Sequence, residues 1–255
     1  MKKIKKYRWG EDPEMSGPRN YFRESLILSA IKKYIKNNNI LDAGCGTGSL
    51  SIRLAEKGFH TVSIDTSFES IAYLKYKRKE MKLEKKINCQ VGSILSLPFK
   101  KNTFNGIVCG EVLEHITNDK RVIKEFFRVL KKGGVCVVSV PAHPRMWDMS
   151  DEISSHKRRY AKEELKERFE DAGFQIKEVF YWGFPLNNLW HRYIFVPFLL
   201  KKMEQGNNIT ANTSPSARLV RNKLFQLLFS HVFYFDMLFN FTNLGNAALL
   251  IAIKK

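Results

Sequence analysis

Along this 255-residue chain the apolar positions change period again and again. Short apolar runs near 40–43, 60–65, 86–91, 104–110, 134–141, 175–182 and 246–253 have the length and β-branched content of strands. Between them, apolar residues recur three and four apart, as at Val122, Ile123, Phe126, Phe127 and Leu130 within 118–131. That spacing predicts helices there and over 162–172, and a helical lead-in over 20–36 precedes the first strand. Strands alternating with helices imply a doubly wound, seven-stranded, mostly parallel α/β sheet.

The first strand runs into Leu41-Asp42-Ala43-Gly44-Cys45-Gly46-Thr47-Gly48-Ser49-Leu50. Three glycines at alternate positions follow an acid, and a helix opens at once. Glycine reaches positive φ without steric cost and lets a ligand approach the backbone. The spacing is not the G-x-G-x-x-G of dinucleotide folds, and no Lys-Ser/Thr pair follows Gly48 as a phosphate loop requires. A carboxylate at the entry repels phosphate and attracts an ammonium or sulfonium. Asp65 ends the second strand, 23 positions after Asp42, where a carboxylate can accept ribose hydroxyls. Capping of the next helix is the plainer role for Asp65, although Thr66 or Ser67 can cap instead.

These residues resemble the class I S-adenosylmethionine-dependent methyltransferases, whose first motif is D/E-x-G-x-G-x-G. Gly92-Ser93-Ile94-Leu95-Ser96-Leu97-Pro98-Phe99 is similar to the family's G-D-A-x-x-L-P-F, with Ser93 for the acid. The stretch from Phe104 to Ile116 is similar to D-x-I-x-x-x-x-V-L-E-H-I, with Asn105 for the acid, and Lys132-Gly133-Gly134 matches an L-K-P-G-G turn but for one proline. The resemblance covers about residues 40–182. It implies a Rossmann-like methyltransferase fold, the last strand inserted antiparallel between the fifth and sixth, and S-adenosylmethionine as cofactor. It places Asp42 near the methionine amino group and Gly44, Cys45, Gly46 and Gly48 against the cofactor. Asp65 and Thr66 fall at the ribose, Ser93 and Ile94 at the adenine, and Gly110, Glu111 and His115 beside the methionine and sulfonium. Asn20-Tyr21-Phe22-Arg23 resembles a lead-in that closes over the cofactor.

The chain reads as a single methyltransferase domain, 1–255, with a lead-in at 1–39 and a helical, apolar insertion at 184–245. A structureless connection of that length does not suit a compact domain. Two aromatic blocks, 186–203 and 217–241, flank a polar run at 204–215. Pro197 interrupts the first; Gln226, Ser230, His231, Asp236 and Asn240 interrupt the second, so neither reads as a membrane span. Three readings stand side by side: two helices packed on the core, a lid over an apolar acceptor pocket, or a segment entering a membrane interface with Lys201, Lys202, Arg218, Arg221 and Lys223. The last two favour an apolar or lipid-linked acceptor.

Composition changes this picture little. The net charge of +18 raises affinity for polyanions, an anionic membrane face included. The excess is spread along the chain: ten basic against four acidic residues in 1–40, eighteen against eleven in 41–150, fifteen against ten in 151–255. A spread excess points to nucleic acid less than a stripe does. Cys45, Cys89, Cys109 and Cys136 form no C-x-x-C pair or Cys/His cluster, so no metal and no disulfide is expected, and reduced thiols suit a cytoplasmic setting, with peripheral contact on the inner membrane face a further expectation. Basic Met1–Lys6 has no apolar run behind it and does not read as a signal peptide. The oligomeric state is not legible.

Methyl transfer to a hydroxyl needs alignment, exclusion of water and removal of a proton. Histidine titrates near neutrality, and His156 and His143 are the candidate bases, each with a structural role as its alternative. His143 follows the fifth strand. His156 lies in a His-Lys-Arg-Arg-Tyr run that resembles a segment of part of the family, with Trp147 and Tyr160 as candidate acceptor-lining residues. The expected function is O-methylation of a small-molecule or lipid-linked acceptor. An RNA methyltransferase is the first alternative, opposed by Gly110-Glu111-Val112-Leu113 where amino-base enzymes carry N/D-P-P-Y. A non-catalytic partner subunit with this fold is the second.

Overall fold

The computed structural model describes residues 17–35, 39–197 and 223–255. Residues 1–16, the polar run 204–215 and Lys201, Lys202, Arg218 and Arg221 lie outside the described residues, as does the side chain of Lys223.

Seven strands form one sheet: β1 (Asn39–Ala43), β2 (His60–Asp65), β3 (Ile87–Val91), β4 (Phe104–Gly110), β5 (Leu130–Pro141), β6 (Phe174–Trp182) and β7 (Ala247–Lys254). Their order is β3-β2-β1-β4-β5-β7-β6. All neighbouring pairs are parallel except those of β7, which runs antiparallel between β5 and β6. The order reverses between β1 and β4, which opens a crevice at their carboxyl ends where ligands bind in such sheets.

The central strands are apolar on both faces because helices cover both. Ile107 and Cys109 of β4 join one core layer with Val122, Ile123 and Phe126 of α4 (Asp119–Val129) and Leu165 and Phe169 of α6 (Lys162–Asp171). Val108 turns to the other layer, with Phe22, Ile27 and Ile31 of α1 (Pro18–Tyr34) and Leu50 and Leu54 of α2 (Ser49–Glu56). Alternation along a strand produces this division. A third helix, α3 (Phe68–Glu80), covers β2 and β3 through Ile71 and Leu74.

One boundary differs from expectation. The apolar spacing predicts a helix over 118–131 and a strand from 134, yet α4 stops at Val129 and β5 starts at Leu130. The carbonyls of Arg128 and Val129 accept from the Asn102 and Thr103 amides at 3.0 and 2.7 Å, and Leu130 pairs with Phe104, so the chain enters the sheet here, with Lys254 at the end of β7 capping the turn. Its Nζ donates to the carbonyls of Phe127 at 2.6 Å and Leu130 at 2.8 Å, a cation on the last carbonyls of a helix.

The described part of the insertion is helical. α7 (Leu186–Trp190) leads into a π turn at His191–Phe195, and α8 (Lys223–Phe233) leads into a 3-10 segment at Tyr234–Phe239. Buried Asp236 accepts hydrogen bonds from the amides of Leu186 and Asn187 at 2.8 and 2.9 Å, satisfying the first turn of α7. Phe22 ties α1 to this assembly, with ring centroids 5.8 Å from Trp182, 6.1 Å from Phe233 and 5.2 Å from Tyr234. The other side stays open to solvent: Leu238 is 65% exposed and Phe241 85%.

Truncating Phe22 empties the junction of α1, β6 and α8. Phe22→Ala is expected to cost about 3–5 kcal/mol of unfolding free energy in urea titrations. A cost under about 1 kcal/mol would show that the insertion does not share the main core.

Candidate active site

The glycine turn stands at the switch point of the sheet. Gly44, Gly46 and Gly48 have φ of 76°, 52° and 86°. A Cβ on Gly44 would lie 2.6 Å from Val112 and one on Gly48 2.3 Å from Leu74, so both are excluded by packing. A Cβ on Gly46 would meet nothing within 4 Å and would enter open space. The amides of Gly44 and Cys45 donate to Ile64 O at 2.8 and 3.1 Å, and that of Gly46 to Asp65 Oδ2 at 2.8 Å.

The carboxylates at this edge have different partners. Asp42 is buried and accepts from Ser51 Oγ at 2.5 Å, with Ser63 Oγ 2.7 Å from the same hydroxyl. Burial raises the Asp42 pKa to about 7, against the Ser51 hydrogen bond, which lowers it. Its Oδ2 thus braces the first turn of α2. Asp65 is half-buried at the end of β2 and also accepts from the Ser67 amide at 2.9 Å. Capping of α3 falls to Ser67, whose hydroxyl accepts from the Ser70 amide. Thr66 is exposed, Ile94 is buried, and Ser93 Oγ accepts from the Leu95 amide at 3.2 Å.

Beyond Gly110 the chain turns sharply: Glu111 sits at φ 58° and accepts from Ser139 Oγ at 2.9 Å. Burial opposes its charge, but Arg19, 3.8 Å away, and Arg23 hold its pKa down. Arg23 lies against Gly110, and its Nε is buried without a partner among the described residues. The lead-in thus delivers Arg19 and Arg23 to the crevice, whereas its Phe22 is buried in the core against Trp182, Phe233 and Tyr234 rather than closing over the site.

The next turn is the 3-10 segment Leu113–His115. Glu114 is fully buried, and neither carboxylate oxygen has a hydrogen-bond partner among the described residues. Burial, with Glu111 nearby, pushes its pKa well above the carboxylate range. His115 Nε2 is 4.0 Å and His156 Nε2 3.9 Å from Glu114 Oε1. Burial, reinforced by His156, lowers the His115 pKa to about 4. His156 Nδ1 donates to Asp151 Oδ1 at 2.7 Å, leaving Nε2 toward Glu114. Asp151 is itself held by Arg159 and by the Asp148 amide at the start of α5 (Met149–Ile153).

The expected bases therefore separate. His156 joins His115 and Glu114. His143 packs its ring 4.2 Å from that of Tyr181 on β6, and burial lowers its pKa. Tyr160 does not line an acceptor pocket. It is fully buried, and its hydroxyl donates to Asp119 at 2.7 Å. Arg158 and Arg168 close on the same Asp119 at 3.2 and 2.6 Å, so much of the His-Lys-Arg-Arg-Tyr run is a structural fastening. Trp147 is 40% exposed. Sequence reading expected no metal ligands and missed the grouping of Glu114, His115 and His156, which could hold a metal ion. Only the adjacent Glu-His pair hinted at it, since His156 lies forty-one positions beyond His115.

This fold and glycine turn define a class I S-adenosylmethionine-dependent methyltransferase. The methyltransferase domain family matches residues 35–192, more than half of the chain, and the chain belongs to that family. It is 35% identical over 123 residues to a ubiquinone biosynthesis O-methyltransferase of Pelagibacter ubique, covering 47% of this chain and 50% of that protein. It is 29% identical over 128 residues to norajmaline N-methyltransferase of Rauvolfia serpentina, covering 50% of this chain and 44% of that protein. The chain thus spans about half the length of these curated relatives. Its fold is similar to that of the [4+2]-cyclase SpnF, with a TM-score of 0.65 at 20% identity over 98% of this chain and 86% of that one.

The residues present fit S-adenosylmethionine. Gly46 opens a cradle without side chain, Asp65 keeps acceptor capacity for hydroxyls, and Arg23 carries an unpartnered donor beside Gly110. Gly46→Ala puts a methyl group into the cradle at a backbone cost of about 1–2 kcal/mol. Calorimetry is expected to show S-adenosylmethionine affinity at least tenfold weaker while the circular dichroism spectrum is kept; unchanged affinity would place the cofactor elsewhere.

Asp42 makes stability depend on pH. Its folded pKa of about 7 lies above the unfolded value of 3.8. Between these values the unfolded chain holds fewer protons at this site, so stability falls as pH rises, and the loss is complete above about pH 7. Asp42→Asn, measured without cofactor, is expected to reduce the stability difference between pH 5 and pH 7 by about 2 kcal/mol in urea titrations. An unchanged difference would mean that Asp42 is ionised throughout.

Proposed function

We propose that this protein transfers the methyl group of S-adenosylmethionine to a hydroxyl of an apolar, lipid-linked acceptor presented at an anionic membrane surface. The observation that carries the reading is His156, whose Nδ1 is fixed on Asp151 so that Nε2 faces the carboxyl edge of the sheet beside His115 and Glu114. A ring held in one orientation by a carboxylate is suited to take a proton at its other nitrogen. A hydroxyl needs that service, whereas a more reactive nucleophile does not.

S-adenosylmethionine supplies a methyl group on a sulfonium; the residues at this edge hold and orient it. The glycine turn lets it approach the backbone, Asp65 meets hydroxyls, and the cationic lead-in offers Arg23 to a carboxylate. Glu111 is bound to Ser139 and Arg19 and keeps its negative charge.

The lipid link is supported by the insertion. Leu189, Tyr193 and Ile194 on one side and Leu228, Phe235, Leu238, Phe241 and Leu244 on the other are exposed in a chain of net charge +18. Apolar side chains with a basic background suit the surface of an anionic bilayer. Among the described residues no helix is long and apolar enough to cross a membrane. The curated O-methyltransferase among the relatives supports the choice of oxygen.

Labelled S-adenosylmethionine should transfer its methyl to a chloroform-soluble hydroxyl compound when the protein meets lipid extract in anionic vesicles. His156→Gln is expected to lower kcat about 10²–10⁴-fold with little change in cofactor affinity. Label appearing only in RNA, or no cofactor binding at millimolar concentration, would overturn the reading.

A further inference from the structure

We propose that Glu114, His115 and His156 bind one divalent first-row transition ion, which in turn receives the hydroxyl oxygen of the acceptor. The binding site stands on geometry alone; the role of the ion rests on the reading above.

Three observations converge. The ligand atoms of the three residues lie within 4.8 Å of one another. Metal bonds of about 2.1 Å set neighbouring ligand atoms roughly 3.0–3.5 Å apart, so the group closes on an ion by about 1 Å of side-chain rotation. Second, both oxygens of Glu114 are buried without a partner among the described residues. A buried carboxylate in that state is costly, and a cation is the partner it lacks. Third, His156 already has the outer support that metal-bound histidines have: Nδ1 donates to Asp151, and Asp151 is anchored by Arg159 at 2.7 Å. The two segments are also joined through the backbone, since the Lys157 amide donates to Glu114 O at 2.8 Å.

The donor set limits the ion. Two imidazoles and one carboxylate suit zinc, iron, cobalt or manganese better than magnesium or calcium, which prefer oxygen. Three protein ligands leave positions open, as in catalytic rather than structural sites. A hydroxyl bound there loses its proton to water. The oxygen pair then forms the C–O bond while the C–S bond breaks and its electrons stay on sulfur, with no change in oxidation state. With an ion in place His156 Nε2 is a ligand, and the ion takes over activation of the hydroxyl.

The test uses the full chain stripped with a chelator. Co²⁺ is expected to bind at one per chain with visible d–d absorption, and Zn²⁺ to displace it. Glu114→Gln and His156→Asn should each weaken binding at least a hundredfold, and Asp151→Asn about tenfold to a hundredfold. S-adenosylmethionine affinity and thermal melting report whether each variant is folded. If Glu114→Gln does not fold, X-ray absorption of the zinc-loaded wild type decides: a two-imidazole shell supports the site, and a shell of water oxygens alone overturns it. Absence of Co²⁺ binding at millimolar concentration, or binding unchanged in the variants, also overturns it. Metal bound without methyl transfer to lipid sinks the proposed function and leaves the site standing. Transfer undiminished in chelated enzyme removes the role of the ion.

Discussion

Burying a carboxylate is expensive unless something compensates its charge, and the carboxyl edge of this sheet buries several. They differ in what meets them. Asp42 is met by the hydroxyl of Ser51, which is itself joined to the hydroxyl of Ser63, and the three brace β1, α2 and β2 around the glycine turn. Glu111 is met by Ser139 and by arginines of the lead-in, which preserve its charge. Glu114 accepts no hydrogen bond among the described residues and has only the rings of His115 and His156 about 4 Å away. The opposite pKa directions of Glu111 and Glu114, three positions apart, follow from this difference in partners. A site that tolerates such a cost at one residue while fully satisfying its neighbours is poised for a ligand at that residue.

Two further carboxylates hold the machinery in register. Asp119, at the start of α4, gathers Tyr160, Arg158 and Arg168 from the segment after β5 and from α6. Asp151 gathers His156 and Arg159 and closes the capping box of α5. The contacts of Asp151 all fall within one short stretch, 148–160, and the bond from His156 Nδ1 to Asp151 ties the orientation of the His156 ring to them.

What the sequence makes legible is local. Positive φ at three alternate positions demands glycine, and a strand buried on both faces demands an apolar run, so the turn and the succession of strands could be anticipated from short windows, whereas the antiparallel last strand followed only from the family resemblance. Tyr160 shows where windows fail. An aromatic after a basic run looks like a pocket wall, but its burial is decided by Asp119, forty-one residues away. The same separation hid the meeting of Glu114 and His115 with His156. The carbonyls at the end of α4 are met by Asn102, Thr103 and Lys254, the last more than a hundred residues on. In each case the deciding partner is distant in sequence and meets its target only once the sheet is assembled.

The insertion and the carboxyl-edge cluster are mechanically joined. His191, in the turn after α7, donates to Asp148 at 3.1 Å, and Asp148 caps the helix whose first turn carries Asp151. Asp236 holds α7 against the 3-10 segment that bears the exposed Leu238. A displacement of the apolar surface therefore reaches Asp151 through two hydrogen-bonded caps, without crossing the hydrophobic core. Hydrogen bonds of this kind stabilise modestly, about 1–3 kcal/mol each when one partner is charged, which is the range in which a coupled element can shift between two positions. Docking of the insertion on an apolar surface would act on the orientation of His156 through that chain of contacts, and so couple the exposed apolar face to the cluster of Glu114, His115 and His156.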